Sequence, residues 1–108
     1  MQRRLAAIVC ADVVGYSRMM GADEAGTHAT FKAHRTAIYP IILNHGGRLV
    51  KNTGDGFLAE FPSAVEAVRA AMQFQTRIKE LTTTEVEDRR IVFRVGVNIG
   101  DVIVEPHD

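Results

Sequence analysis

The chain has no tryptophan, one cysteine, three prolines, and an aromatic complement of only five phenylalanines and two tyrosines in 108 residues. A single cysteine, Cys10, rules out a disulfide framework within the chain; it lies in an apolar run, where it is expected to be buried and reduced. Charge of one sign is also missing. Thirteen basic and thirteen acidic residues cancel, which argues against a nucleic-acid or anionic-membrane partner and in favour of a small molecule or another protein. The opening Met1-Gln2-Arg3-Arg4 is basic, but the apolar stretch after it meets Asp12 and has neither membrane length nor a cleavage site. A cytoplasmic protein without membrane contact is therefore expected. Repeats, low-complexity segments and linkers are absent, so residues 1–108 read as one domain, with 46% hydrophobic residues to build its core.

What is present has a clear order. Arg4 to Val14 is nearly continuously apolar and branched, the pattern of a central strand covered on both faces. Gly15 to Met20 fits a short helical turn. Asp23 to Asn44 follows as a long helix, with an apolar stripe at Ala29, Ala33, Ala37 and Ile41 widened by Phe31, Ile38 and Ile42, and it stops at Gly46-Gly47. Arg48–Asn52 and Phe57–Phe61 are short strands around Thr53-Gly54-Asp55-Gly56, whose Asp-Gly step favours a hairpin with Asp55 at its tip. A second helix starts from a Ser63 cap, with Glu66 three residues on, and runs to about Leu81; Val65, Val68, Ala71, Met72, Gln75 and Ile78 form its stripe. Ile91 to Ile99 alternates as a strand, Gly100-Asp101 reads as a turn, and Val102 begins another strand. The sum is α+β, a ferredoxin-like βαββαβ sheet with two helices on one face. The uncovered surface is expected to include an apolar patch that favours self-association.

Two acids stand out. Asp12 closes an apolar strand, where a carboxylate is costly to bury unless a cation or hydrogen-bond donors meet it, and Asp55 tips the hairpin. Taken with their surroundings, Ala11-Asp12-Val13-Val14-Gly15-Tyr16-Ser17, Gly46-Gly47-Arg48-Leu49-Val50-Lys51-Asn52-Thr53-Gly54-Asp55-Gly56-Phe57 and Phe93-Arg94-Val95-Gly96-Val97-Asn98-Ile99-Gly100-Asp101-Val102 resemble the catalytic domain of class III adenylyl and guanylyl cyclases. Three matches in order make the resemblance specific.

That resemblance implies that Asp12 and Asp55, with the Val13 carbonyl, hold two Mg2+ or Mn2+ ions that bridge a nucleoside triphosphate. The ions would activate the ribose 3′-hydroxyl for attack on the α-phosphorus. The amides of Val13, Val14, Gly15, Tyr16 and Ser17, entering a helix, are implied to meet phosphate oxygens. Lys51 stands at the family's adenine-reading position, which favours ATP over GTP because guanine presents a protonated ring nitrogen where adenine presents an acceptor. Asp108 falls close to the companion adenine-binding position. The implied reaction is ATP to 3′,5′-cyclic AMP and pyrophosphate in intracellular signalling, by a homodimer or a heterodimer with another cyclase domain, one subunit giving the metal aspartates and the other the adenine-reading residues. The family's asparagine and arginine motif would lie beyond Asp108, so the chain is expected to lack the domain's C-terminal part and to be nearly inactive with itself.

Other readings are weaker or of another class. A non-catalytic dimerisation or regulatory module of the same fold is the alternative. An RNA-binding ferredoxin-like domain lacks its aromatic stacking pair and a basic excess here. A diguanylate cyclase would carry two glycines before an acidic pair, where this turn reads Thr53-Gly54-Asp55-Gly56-Phe57. His28, His34, His45 and His107 have no ligand spacing and are expected at the surface; Met19, Met20 and Met72 are expected to fill core or interface.

Overall fold

In the computed structural model, which describes residues 2–85 and 89–104, the chain runs β1 (Gln2–Val13), α1 (Tyr16–Ala22), α2 (Glu24–Asn44), β2 (Arg48–Asn52), β3 (Gly56–Phe61), α3 (Ala64–Thr82) and β4 (Phe93–Val104). The four strands form one antiparallel sheet in the order β2-β3-β1-β4. This is the expected split arrangement, with β1 at the centre and the β2–β3 hairpin folded so that only β3 flanks it. The expected turn at Gly100-Asp101 does not form. β4 continues through it to Val104 because β1 stays paired with it as far as Gln2↔Val104, and a ladder partner at every position outweighs the turn preference of glycine.

Residue chemistry explains the helix ends. Asp23 and Ser63 cap α2 and α3 by accepting from the amides of Gly26 and Glu66. Gly15 joins β1 to α1 at φ +67°, a left-handed conformation that costs glycine nothing.

Alternation along the strands sorts the two faces. Val9, Ala11, Val13, Phe57, Ala59, Phe61 and Phe93 point at the helices and are buried. On the other face Cys10 and Arg94 are exposed and Asp12 is half-buried. β1 is thus central in the sheet but layered on one side only, and Cys10 is not the buried thiol expected. The apolar run misled because apolar residues also occupy the open face, where Ile8 is partly exposed and Cys10 exposed.

Both helical stripes also need correction. α2 buries Thr27, Phe31, His34, Ile38, Ile41 and Ile42, leaving Ala29 and Ala33 exposed. α3 buries Ala67, Ala70, Ala71, Phe74, Ile78 and Thr82, while Val65, Val68 and Met72 are exposed. On α2 the bulky residues set the face, since burying Phe or Ile gains far more than burying Ala. On α3 small residues let the helix approach the aromatic core. His34 is buried rather than at the surface, and His45 is partly covered; Met19 fills core as expected.

Five of the seven aromatics pack together. Phe57 meets Phe74 edge-on at 5.7 Å between ring centroids, Phe93 lies 6.1 Å from Phe31, and Tyr16 meets Phe31 at 5.5 Å. Each aromatic ring buried there contributes about 2–3 kcal/mol. Phe57 follows Gly56, Phe93 precedes Arg94 and Tyr16 opens α1, so the firmest part of the core lies under one end of β1.

Candidate active site

That end of β1 carries the site. Asp12 pairs directly with Gly56 of β3 on one side and Arg94 of β4 on the other. A Cβ on Gly56 would lie 1.8 Å from the Ala11 carbonyl oxygen, so only glycine lets β3 start this close to β1. One residue earlier, the Asp55 carbonyl accepts from the Val13 amide at 2.8 Å, and the Thr53 amide closes the loop onto the Gly56 carbonyl at 2.9 Å. Asp12 and Asp55, 43 positions apart in sequence, are therefore brought to one place by backbone hydrogen bonds.

A third charged residue joins them that the sequence reading did not single out. Arg94 Nε donates to Asp12 Oδ1 at 2.9 Å and Nη2 donates to Oδ2 at 3.3 Å, a two-pronged contact. The hydrogen bond that Arg94 donates to Asp12 raises the Arg94 pKa above its ordinary value, with the charges of Asp12 and then Asp55 adding to the effect. Alternation from buried Phe93 would have put Arg94 on the open face, but its partner depends on strand register.

The remaining expected residues divide. Lys51 is exposed on β2 opposite Leu58, which pairs in turn with Cys10, so Lys51 lies on the same open face as Asp12 but two strands away. Two strand spacings are about 9–10 Å. The amides of Val13 and Val14 are already committed, to the carbonyls of Asp55 and Val92, which removes both from the expected phosphate contacts. Gly15, Tyr16 and Ser17 lead into α1 directly after them. Asp108 and His107 lie outside the described residues.

The donor set suits a hard divalent cation that is completed by its substrate. Among the described residues no three His, Cys, Asp or Glu side chains converge on one point. Two carboxylates at the sheet edge match the way Mg2+ is usually held, by one or two carboxylates with substrate phosphates and water supplying the rest. Asp12 is 39% exposed and reachable. Clefts of about 380 Å3, between Arg18 and Arg89, and 280 Å3, between α2 and β2, lie elsewhere; neither includes Asp12, Asp55 or Lys51. The site is a shelf open to solvent.

A four-stranded antiparallel sheet with its helices on one face is the α+β fold of nucleotidyl cyclase domains. No family model matches the chain. It is 49% identical over 108 residues to a Rhizobium meliloti protein named "Putative adenylate cyclase 3", covering 99% of this chain and 18% of that protein. An adenylate/guanylate cyclase/hydrolase from Silicibacter pomeroyi, 40% identical, superimposes with a TM-score of 0.81 over 100% of this chain and 63% of its own. The guanylyl cyclase Cya2, at 20% identity, shares the fold with a TM-score of 0.80, covering 99% of this chain and 61% of its own. Along its length the chain is similar to class III adenylate/guanylate cyclase domains. It spans about a fifth of its curated relative and under two thirds of these solved chains. Among the described residues no helix is long and apolar enough to cross a membrane.

Proposed function

We propose that the chain carries the metal-binding and purine-reading part of an adenylate cyclase catalytic domain, which converts ATP to 3′,5′-cyclic AMP and pyrophosphate in cyclic-nucleotide signalling. The observation that supports this reading is the Val13–Asp55 backbone bond, which holds the hairpin tip that carries Asp55 against the end of β1 that carries Asp12. Asp12 and Asp55, with the Val13 carbonyl, are the ligands for two Mg2+ or Mn2+ ions, which when bound supply Lewis-acid stabilisation of phosphoryl charge. Asp12 and Asp55 place the triphosphate end of the substrate at the strand terminus, and Gly15, Tyr16 and Ser17 line its approach. Lys51 donates to a ring-nitrogen acceptor of adenine and disfavours guanine. As the family resemblance implies, each chain offers its acids to one nucleotide and its lysine to another, in a homodimer or a heterodimer with a second cyclase domain.

Calorimetry with ATP in Mn2+, run beside a cyclic AMP assay, tests this. Binding that Asp55→Asn abolishes, and that Lys51→Glu weakens for ATP while easing for GTP, is the expected result. Equal ATP binding by the Asp55 variant and the unaltered chain would overturn the assignment of Asp55.

A further inference from the structure

We propose that Arg94 is a resident counter-ion of Asp12: it occupies the Asp12 carboxylate and has to be displaced before that carboxylate can take a divalent cation. The inference rests on the reading of Asp12 as a cation ligand and concerns how that site is guarded. Both carboxylate oxygens are engaged by the guanidinium fork, at 2.9 and 3.3 Å. A Mg2+ ion needs those oxygens at about 2.0–2.1 Å, which sets the ion and the guanidinium in direct competition. The contact is built into the sheet, since Asp12 and Arg94 are opposite one another in the β1–β4 register and their Cβ atoms fall within pair distance. The Arg94 side chain is 71% exposed, so it can leave into water without breaking any packing.

The guard is therefore weak and reversible. An exposed ion pair is worth little, so removing it should tighten cation binding roughly two- to fivefold. Charge and fork are separable, because lysine keeps the positive charge but lacks the planar pair of donors that holds both oxygens.

The test is Mn2+ binding to the chain without nucleotide, measured by calorimetry on the unaltered protein, Arg94→Lys, Arg94→Gln and Asp12→Asn. The expected result is that Arg94→Lys tightens binding two- to fivefold, Arg94→Gln does so at least as much, and Asp12→Asn removes it. If Asp12→Asn removes binding while Arg94→Lys matches the unaltered chain or binds less tightly, the guard is refuted and the metal reading stands. If Asp12→Asn leaves binding unchanged, or no variant binds, the metal reading fails and the guard with it. A second measurement needs no substitution: the Arg94 Nε–H resonance should move as Mg2+ saturates the site, and a resonance that stays fixed at saturation overturns the proposal.

Discussion

His45, at the C-terminus of α2, lies with its Nδ1 2.9 Å from Glu66 Oε2 on α3. Its Nε2 is 2.8 Å from Gln73 Oε1, so both ring nitrogens face acceptors and only the imidazolium can donate to both. These hydrogen bonds, that to Gln73 first, raise the His45 pKa above 6.5, while the bond from His45 is the main cause lowering that of Glu66 below 4.5. A raised histidine pKa stabilises the fold below 6.5 and loses that contribution as pH climbs through the folded value. The Glu66 contribution is present above 4.5 and lost as pH falls through its own lowered value. The pair is complete between those limits. His45→Gln should flatten the fall in melting temperature between pH 6 and pH 8, read by thermal denaturation; an unchanged slope would count against the contact.

His34 acts in the opposite direction. It is buried on α2 with its Nδ1 unpartnered among the described residues, and burial lowers its pKa, with attraction to Glu85 offsetting part of the effect. The unfolded chain takes up a proton below about pH 6.5 that the folded chain resists, so stability drops as pH falls. His34→Leu should be about 1 kcal/mol more stable at pH 7 by removing an unsatisfied polar atom, with a larger advantage at pH 5. Urea titrations at the two pH values measure both.

Glu60 is 4% exposed on β3 and accepts from Arg4 of β1 and from Arg48 Nε of β2, the latter at 3.0 Å. One carboxylate thus ties three strands on the open face. Glu60→Ala should cost about 1–3 kcal/mol, whereas Arg4→Ala or Arg48→Ala alone should cost under about 1 kcal/mol, since each arginine is half exposed and the other remains. Equal losses from all three would contradict the bridge.

Gly56→Ala should be among the most damaging single substitutions. Its Cβ meets backbone, not a mobile side chain, so β3 has to withdraw from β1. A loss of about 3 kcal/mol or more is expected, with the proposed ATP binding impaired even under conditions where the protein stays folded. Gly54→Ala, where nothing lies within 4 Å, is the control and should be mild.

How far the sequence could be read follows from what each residue type discriminates. Strand order, the hairpin and the Ser63 cap were legible because glycine, aspartate and serine have few alternatives at such positions. Helical faces were misread where alanine and valine carried the pattern, as at Ala29, Ala33, Val65 and Val68, because these side chains lose little by being exposed. The layering of β1 was misread because Ile8 and Cys10, on the open face, make continuous an apolar run whose alternate members Val9, Ala11 and Val13 are buried. Asp12 and Asp55 were found as motif residues and the structure sets them together, but Arg94 escaped because its role comes from a register between residues 82 apart. The committed amides of Val13 and Val14 were equally invisible, since they depend on what Asp55 and Val92 do.

β1 is hydrogen-bonded along both edges, while β2 pairs along one edge only among the described residues and has a register shift between Leu49 and Lys51. Strands of these two kinds open with different free energies, so their amides should exchange with deuterated water at different rates. Asp12 sits on the slow side of that divide and Lys51 on the fast side. Under the proposed function, the part of the site assigned to phosphate is consequently a fixed fitting, and the part assigned to the base is a hinged one.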